Sequence, residues 1–364
     1  MKIAFLLPGR GARPTGGYKV VYEYANRLTR RGHQVSVVHP WSCSPPASPR
    51  EAIRARLWAA RWGLRRSQVA PWFEFEDGVE LSVVTDPGGG NLPRADVLIA
   101  TAWHTAPWIA AAAAARGVGG AYLIQGYETW DGDVESVDAT WRLPLQKVVI
   151  SHWLEEIAAE LGESERTTRV PLGMDLDRLG VDLPPADRRP RLGSLYHPGA
   201  AKGSDDVLAT MVATKERAPG LGAVFFGTRD RPAELPGWIE YEQLPSARRL
   251  RELFNSCSIF LGASRSEGWG LPGSEAMLCG CALVTVANGG SREFAVDGET
   301  ALVVPPEQVG ELADRVGELL GDEALRLRLA AAGAERLRGF TWERAVDGFE
   351  AVLESAAAAA GGTR

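Results

Sequence analysis

The chain has 364 residues, is 45% hydrophobic and 24% charged, and carries a formal net charge of −6. That length gives two domains of ordinary size, and that composition excludes a disordered or collagen-like chain. A pI of about 5.6 offers no bulk positive charge for nucleic acid, so no nucleic-acid partner is expected. Cys43, Cys257, Cys279 and Cys281 make neither a disulfide framework nor a CxxC pair, so no metal site is expected.

MKIAFLLPGR reads as a strand and a turn, not as a signal peptide. No apolar run reaches the roughly 18 residues of a membrane span, which points to a cytoplasmic enzyme. The first half contains the short apolar runs KIAFLLP, QVSVVHP, VLIATAW, AYLIQG and KVVIS. The second contains RLGSLY, AVFFG, CSIFLGAS, ALVTVA and ALVVPP. Runs apolar on both faces predict parallel strands covered by helices on each side. Helices are expected between them, over Tyr18–Arg31 with Gly32 as a stop and over Ser151–Gly162 behind a serine cap. Further helices are expected over Gln308–Leu320, Glu323–Arg338 and from Phe340-Thr341-Trp342 to about Ala358, with a frayed tail beyond.

Two βαβ series of this kind predict an α/β chain of two doubly wound, Rossmann-like domains. The proline-rich, charged stretch DLPPADRRP at Asp182–Pro190 reads as the linker. The expected domains are therefore residues 1–183 and 190–340, with the last helix, about 341–360, packing back on the first. Within 50–68, Ile53, Leu57, Ala60 and Leu64 share one face, while Arg50, Arg54, Arg61 and Arg65 share another, with Trp58 and Trp62 between. Such a helix suits either packing on its own domain or peripheral contact with an anionic membrane, at its inner face, or with an acidic acceptor.

The chemistry concentrates in SRSEGWGLPGSEAMLCGCALVTVANGG, residues 264–290. Glu267 and Glu275 stand seven residues apart in this stretch. Pro272 predicts that a helix begins there, placing Glu275 in its first turn and Glu267 in the loop after the strand SIFLGAS. Open parallel sheets bind ligands at that edge. Gly268 and Gly270 let backbone amides approach a ligand, and the helix N-terminus favours phosphate. Two carboxylates beside an anion site suit hydroxyls, as on a sugar and a ribose. A GxGxxG start at Gly9–Pro14 fails because proline stands at the third glycine, and His39-Pro40 closes the second strand without an acid for a cofactor ribose. Asp131-Gly132-Asp133 and Asp175-Leu176-Asp177 spell DxD, read here as loop residues.

This E-x7-E array, followed by EAM-x-CG and NGGSREFAVDGETALVVPP, resembles the donor site of retaining glycosyltransferases of family 4, two-domain enzymes of the GT-B fold. SHWLEEIAAELG, VPLGMDLDRL, the closing FTWERA helix and the Gly16-Gly17 loop extend the resemblance over most of the chain. It implies that the two domains face each other across a deep cleft, with the acceptor on the first and the donor on the second. It also implies that Glu267 contacts the sugar, that Glu275 binds the nucleotide ribose, and that amides of Trp269, Gly270 and Leu271 hold hydroxyls and phosphate. In SLYHPGAAKG, Lys202 matches the lysine of the family's diphosphate clamp, but His197 stands where the arginine is expected. A protonated His197 or Arg229 would then replace that charge. His104 resembles the family's active-site histidine. Gln125-Gly126-Tyr127-Glu128 looks like a segment of rhamnosyltransferase-like members, which makes Gln125 and Glu128 acceptor candidates. The implied reaction is retaining transfer of a sugar from a nucleoside diphosphate, a deoxysugar such as dTDP-rhamnose among the candidates, to a hydroxyl of a glycan, lipid-linked or small-molecule acceptor. The resemblance also implies that no metal or cofactor is required. A nucleotide-sugar epimerase and a non-catalytic nucleotide-sugar binder are the rivals.

Overall fold

The computed structural model describes residues 1–361 apart from 12, 44–46, 64–68 and 89. It divides into two compact units: Met1–Ile150, Leu154–Pro171 and Glu343–Arg364 form the first, Ser151–Trp153 and Leu172–Trp342 the second.

The first unit runs β1 (Lys2–Leu6), α1 (Gly16–Arg30), β2 (Gln34–Pro40), α2 (Pro49–Gly63), β3 (Glu80–Val84), β4 (Val97–Ala100), α3 (Ala106–Arg116), β5 (Gly119–Ile124), α4 (Val134–Trp141), β6 (Gln146–Val149), α5 (His152–Glu160, of which His152 and Trp153 fall in the second unit) and β7 (Thr167–Arg169). Its sheet is parallel throughout, in the order β3-β2-β1-β4-β5-β6-β7. The second unit runs β8 (Arg191–Tyr196), α6 (Ser204–Arg217), β9 (Gly222–Gly227), β10 (Ile239–Gln243), α7 (Ala247–Ser256), β11 (Ile259–Gly262), α8 (Leu271–Leu278), β12 (Ala282–Val286), β13 (Leu302–Val304), α9 (Leu312–Gly321) and α10 (Glu323–Arg338). Its parallel sheet has the order β10-β9-β8-β11-β12-β13. Both sheets reverse their winding once, between β1 and β4 and between β8 and β11. Such a reversal opens a crevice beyond the carboxyl ends of the strands.

Every predicted apolar run is a strand, and three strands went unpredicted. β3, β7 and β10 lie at sheet edges, where one side of the strand lacks a partner. Their half-exposed residues, such as IEYEQ in β10, do not form a continuous apolar run.

The domain boundary also differs from expectation. The chain passes from one unit to the other at Pro171–Leu172, and Asp182–Pro190 belongs wholly to the second. Arg188, 5% exposed, fastens it there. Its guanidinium donates to the carbonyls of Leu183, Cys257 and Cys279 and to Asn255 Oδ1. A buried cation satisfied by that many acceptors makes this stretch part of a core rather than a free linker.

The serine cap is corrected as well. Ser151 Oγ is buried without a hydrogen-bond partner among the described residues. The N-terminus of α5 is instead capped by Glu293, whose Oε1 accepts from the His152 amide at 2.6 Å and faces His152 Nδ1 at 2.8 Å. The last helix, α11 (Trp342–Gly361), continues past the predicted end at Ala358; residues 362–364 of the predicted frayed tail lie outside the described residues. From Glu343 onward it packs in the first unit, with Phe349 against Phe5 at 6.0 Å and Tyr24 at 4.3 Å between ring centroids. Arg31 donates to Asp347 at 2.6 Å and to Glu350 at 2.5 Å. Removing the fully buried Phe349 ring leaves a cavity under β1, so Phe349→Ala is expected to cost about 3–5 kcal/mol, read as a lowered calorimetric unfolding midpoint.

Candidate active site

The second unit's reversal lies between β8 and β11, and the loops leaving those two strands meet there. After β8 the chain makes a short 3-10 turn, Ala200–Lys202, and leaves it through Gly203 at φ 65°. A Cβ on Gly203 would collide with the carbonyl of Ala263, so glycine is required for both its backbone angle and this close approach. The Arg265 amide donates to Ala201 O at 2.8 Å, tying the turn to the loop after β11. The result is a pair: Lys202 Nζ donates to Glu267 Oε1 at 2.7 Å.

Glu267 is held from its other side by the segment after β12. Its amide donates to Asn288 O at 3.0 Å, and its carbonyl accepts from the Gly290 amide at 2.9 Å. Gly270, at φ 100°, turns the chain into α8, whose first-turn amides lack intrahelical acceptors. Lys202, Glu267, Gly270, Gly273, Thr285 and Asn288 line a single concavity of about 530 Å³, part of it open to solvent. It thus combines one cation, one carboxylate and the positive end of a helix. Thr285 and Asn288 were not singled out in the sequence, although they flank the end of the apolar run ALVTVA, where a parallel sheet presents ligand groups.

Other predicted residues lie around this centre. Helix α8 starts at Leu271, so Glu275 falls in its second turn rather than its first; it is 7% exposed and outside the concavity's lining. Gly268 precedes Trp269, whose ring is 2% exposed and packs edge-on to Phe340 at 5.1 Å, anchoring the loop from below. A protonated His197 is not supported. Burial lowers its pKa below the ordinary value, Lys202 and Arg229 lower it further, and Glu267 opposes them. His197 Nδ1 accepts from the Gly199 amide at 3.0 Å, which leaves the proton on Nε2. In that tautomer a neutral ring donates from Nε2. Arg229 is exposed, makes no salt bridge among the described residues, and lies close enough to act on His197.

In the first unit the reversal lies between β1 and β4. Gly16 opens α1, and Gln125, after β5, donates from Nε2 to Gly17 O at 3.1 Å. His104 follows β4, its ring 3.9 Å from that of Trp103 and its Nδ1 3.8 Å from Asp131 Oδ2. Glu128 Oε2 accepts from the Trp103 amide at 2.7 Å. Asp133, of the first DxD, caps α4 by accepting from the Ser136 amide at 2.9 Å. Among the described residues no group of three or more His, Cys, Asp or Glu could hold a metal ion.

Burial pushes the Glu128 carboxyl up to about 7; the Trp103 amide opposes this and Asp131 adds to it. The folded state therefore holds this proton more tightly than the unfolded chain. The resulting stabilisation is complete below the ordinary value of 4.5 and is lost as pH rises through about 7. Glu128→Gln stays neutral and keeps an acceptor for Trp103. It is expected to unfold like the wild type at pH 4 and to be more stable at pH 8 by about 3 kcal/mol, read from denaturation midpoints at the two pH values.

Residues 201–336 match the family model described as Glycosyl transferases group 1. The matched stretch lies within the second unit. An uncharacterised glycosyltransferase of Methanocaldococcus jannaschii is 31% identical over 121 residues, 33% of this chain and 33% of that one. The GDP-mannose-dependent alpha-(1-6)-phosphatidylinositol monomannoside mannosyltransferase of Mycolicibacterium smegmatis is 27% identical over 204 residues, 48% of this chain and 53% of that one. The matched stretches thus span about a third to a half of these relatives' length. Among solved structures, sucrose-phosphate synthase from Thermosynechococcus elongatus superposes with a TM-score of 0.72 at 18% identity, covering 98% of this chain and 99% of that one. Anabaena HepE in complex with UDP-glucose gives 0.72 at 16%, over 98% and 99%. At such identities the likeness establishes the fold, two Rossmann-like parallel-sheet domains.

Proposed function

We propose that the chain is a retaining glycosyltransferase that moves a sugar from a nucleoside diphosphate to a hydroxyl of a glycan, lipid-linked or small-molecule acceptor, without a required metal. The observation that carries this reading is the Lys202–Glu267 pair beside the N-terminus of α8, at the reversal point of the second sheet. When the bond from the anomeric carbon to the diphosphate oxygen breaks, negative charge grows on the departing phosphate. Lys202, the amides opening α8 and a hydrogen bond from His197 Nε2 are arranged to stabilise that charge. Glu267 accepts hydroxyl protons of the sugar, and Glu275 those of the ribose. The acceptor oxygen then bonds to the anomeric carbon on the face the diphosphate leaves, and its proton passes to the leaving phosphate. In the first unit, His104, Gln125 and Glu128 are the candidate polar groups for substrate hydroxyls.

The QGYE segment favours a deoxysugar donor such as dTDP-rhamnose, while the relatives' names add GDP-mannose and UDP-glucose to the candidates. The test is donor turnover over this panel, with and without a mixed hydroxyl-acceptor library. A transferase releases nucleoside diphosphate faster with acceptor and yields a product of unchanged anomeric configuration. Interconversion of donor sugars without release marks an epimerase, and binding without turnover a non-catalytic binder; either result refutes the proposal.

A further inference from the structure

Helix α2 presents its apolar residues in an unexpected direction. At 100° per residue, Ile53, Leu57 and Ala60 form one stripe. Packing on its own unit would bury that stripe, yet Ile53 is 57% and Leu57 67% exposed, and Ala60 is exposed as well. The opposite side faces the protein. Ala55 is fully buried, Trp58 meets Trp41 edge-on at 5.4 Å, and the Arg10 guanidinium lies 3.7 Å over the Trp62 ring. These contacts fix the rotation of the helix and leave the apolar stripe outward.

Arginines flank the stripe on both sides. Arg50, Arg54 and Arg61 lie along one edge and Arg56 along the other; all four are exposed and make no salt bridge among the described residues. The helix's single acid, Glu51, turns away and accepts from the Ala47 amide at 2.8 Å. On a chain with net charge −6, this is a local cationic surface with an apolar centre. Leu64 and Arg65, which would extend both rows, lie outside the described residues. No described helix is long and apolar enough to cross a membrane.

We propose that the outward face of α2 docks on an anionic lipid bilayer, with Ile53 and Leu57 entering the headgroup–acyl boundary and the four arginines engaging lipid phosphates. The charge pattern selects this occupant. A copy of the chain would bring the same four cations against one another, whereas a bilayer meets cations and apolar stripe together. This inference is independent of the sugar-transfer reading.

The test is flotation of the full chain with phosphatidylcholine vesicles, with and without phosphatidylglycerol. Binding is expected to be roughly tenfold or more stronger to the anionic vesicles. It should fall as salt shortens the screening length from about 10 Å at 0.1 M to about 3 Å at 1 M. Ile53→Asp/Leu57→Asp and, separately, glutamine at Arg50, Arg54, Arg56 and Arg61 should each abolish binding while leaving circular dichroism and unfolding midpoint unchanged, since all six side chains are exposed. Failure to float, equal binding to neutral vesicles, or retained binding in both variants would overturn the proposal. So would a dimer in sedimentation velocity that the double aspartate variant dissolves, because a second copy would then be the occupant.

Discussion

Lys202→Ala is expected to lower sugar-transfer turnover by about 10²- to 10³-fold, the range found when a single preorganised donor to transition-state charge is removed. Its effect on stability should be small. The Lys202–Glu267 pair is partly exposed, 36% and 22%, and such pairs contribute at most about 1 kcal/mol. A large kinetic loss with an unchanged unfolding midpoint separates leaving-group stabilisation from a structural role. The substitution acts twice, because it also leaves the Glu267 carboxylate unneutralised where the diphosphate must sit. Lys202→Ala/Glu267→Gln should therefore bind a nucleoside diphosphate more tightly than Lys202→Ala alone, a non-additivity that titration of both variants measures.

Gly290→Ala carries the second large effect, through backbone geometry rather than charge. A Cβ on Gly290 would meet the carbonyl carbon of Gly268, and backbone cannot yield as a flexible side chain can. The two strands of loop must separate, lengthening the 2.9 Å hydrogen bond from the Gly290 amide to Glu267 O. Overpacking of this kind costs about 1–3 kcal/mol. A displacement of about 1 Å at Glu267 would cost turnover roughly 10²-fold. Gly317→Ala is the control, because its Cβ would meet nothing within 4 Å in the middle of α9. It is expected to leave turnover intact and to stabilise by about 0.5–1 kcal/mol. Steady-state kinetics and melting of both variants check the pair.

The sequence made the interior of each sheet readable because a parallel strand covered on both faces must be apolar throughout. Edge strands escape that requirement, so β3, β7 and β10 passed unnoticed. Local signals also located the loop after β11 and the start of α8, where glycine and proline mark positions of special backbone geometry. What local pattern could not supply was long-range partnership. Ser151 looked like a cap, but a carboxylate 141 residues distant from His152 takes that role. DLPPADRRP has the composition of a linker, yet Arg188 reaches the carbonyls of Cys257 and Cys279 in two other segments, which hold it inside the second unit. His197 offered an apparent substitute for a missing charge. Burial, Lys202 and Arg229 lower its pKa below the ordinary value, a property set by neighbours that no single segment reveals. Likewise, the apolar stripe of α2 was legible, whereas its outward direction depends on Trp41 and Arg10, which lie outside the helix.

Calorimetric titration of UDP, GDP, dTDP and ADP into the wild type, Lys202→Ala and Glu275→Ala tests the assignment of the second unit as a nucleotide-sugar donor site. One diphosphate is expected to bind selectively, with affinity falling by roughly tenfold or more in each variant as charge-assisted contacts are lost. Failure of all four to bind at millimolar concentration, or binding that neither substitution changes, would contradict that assignment.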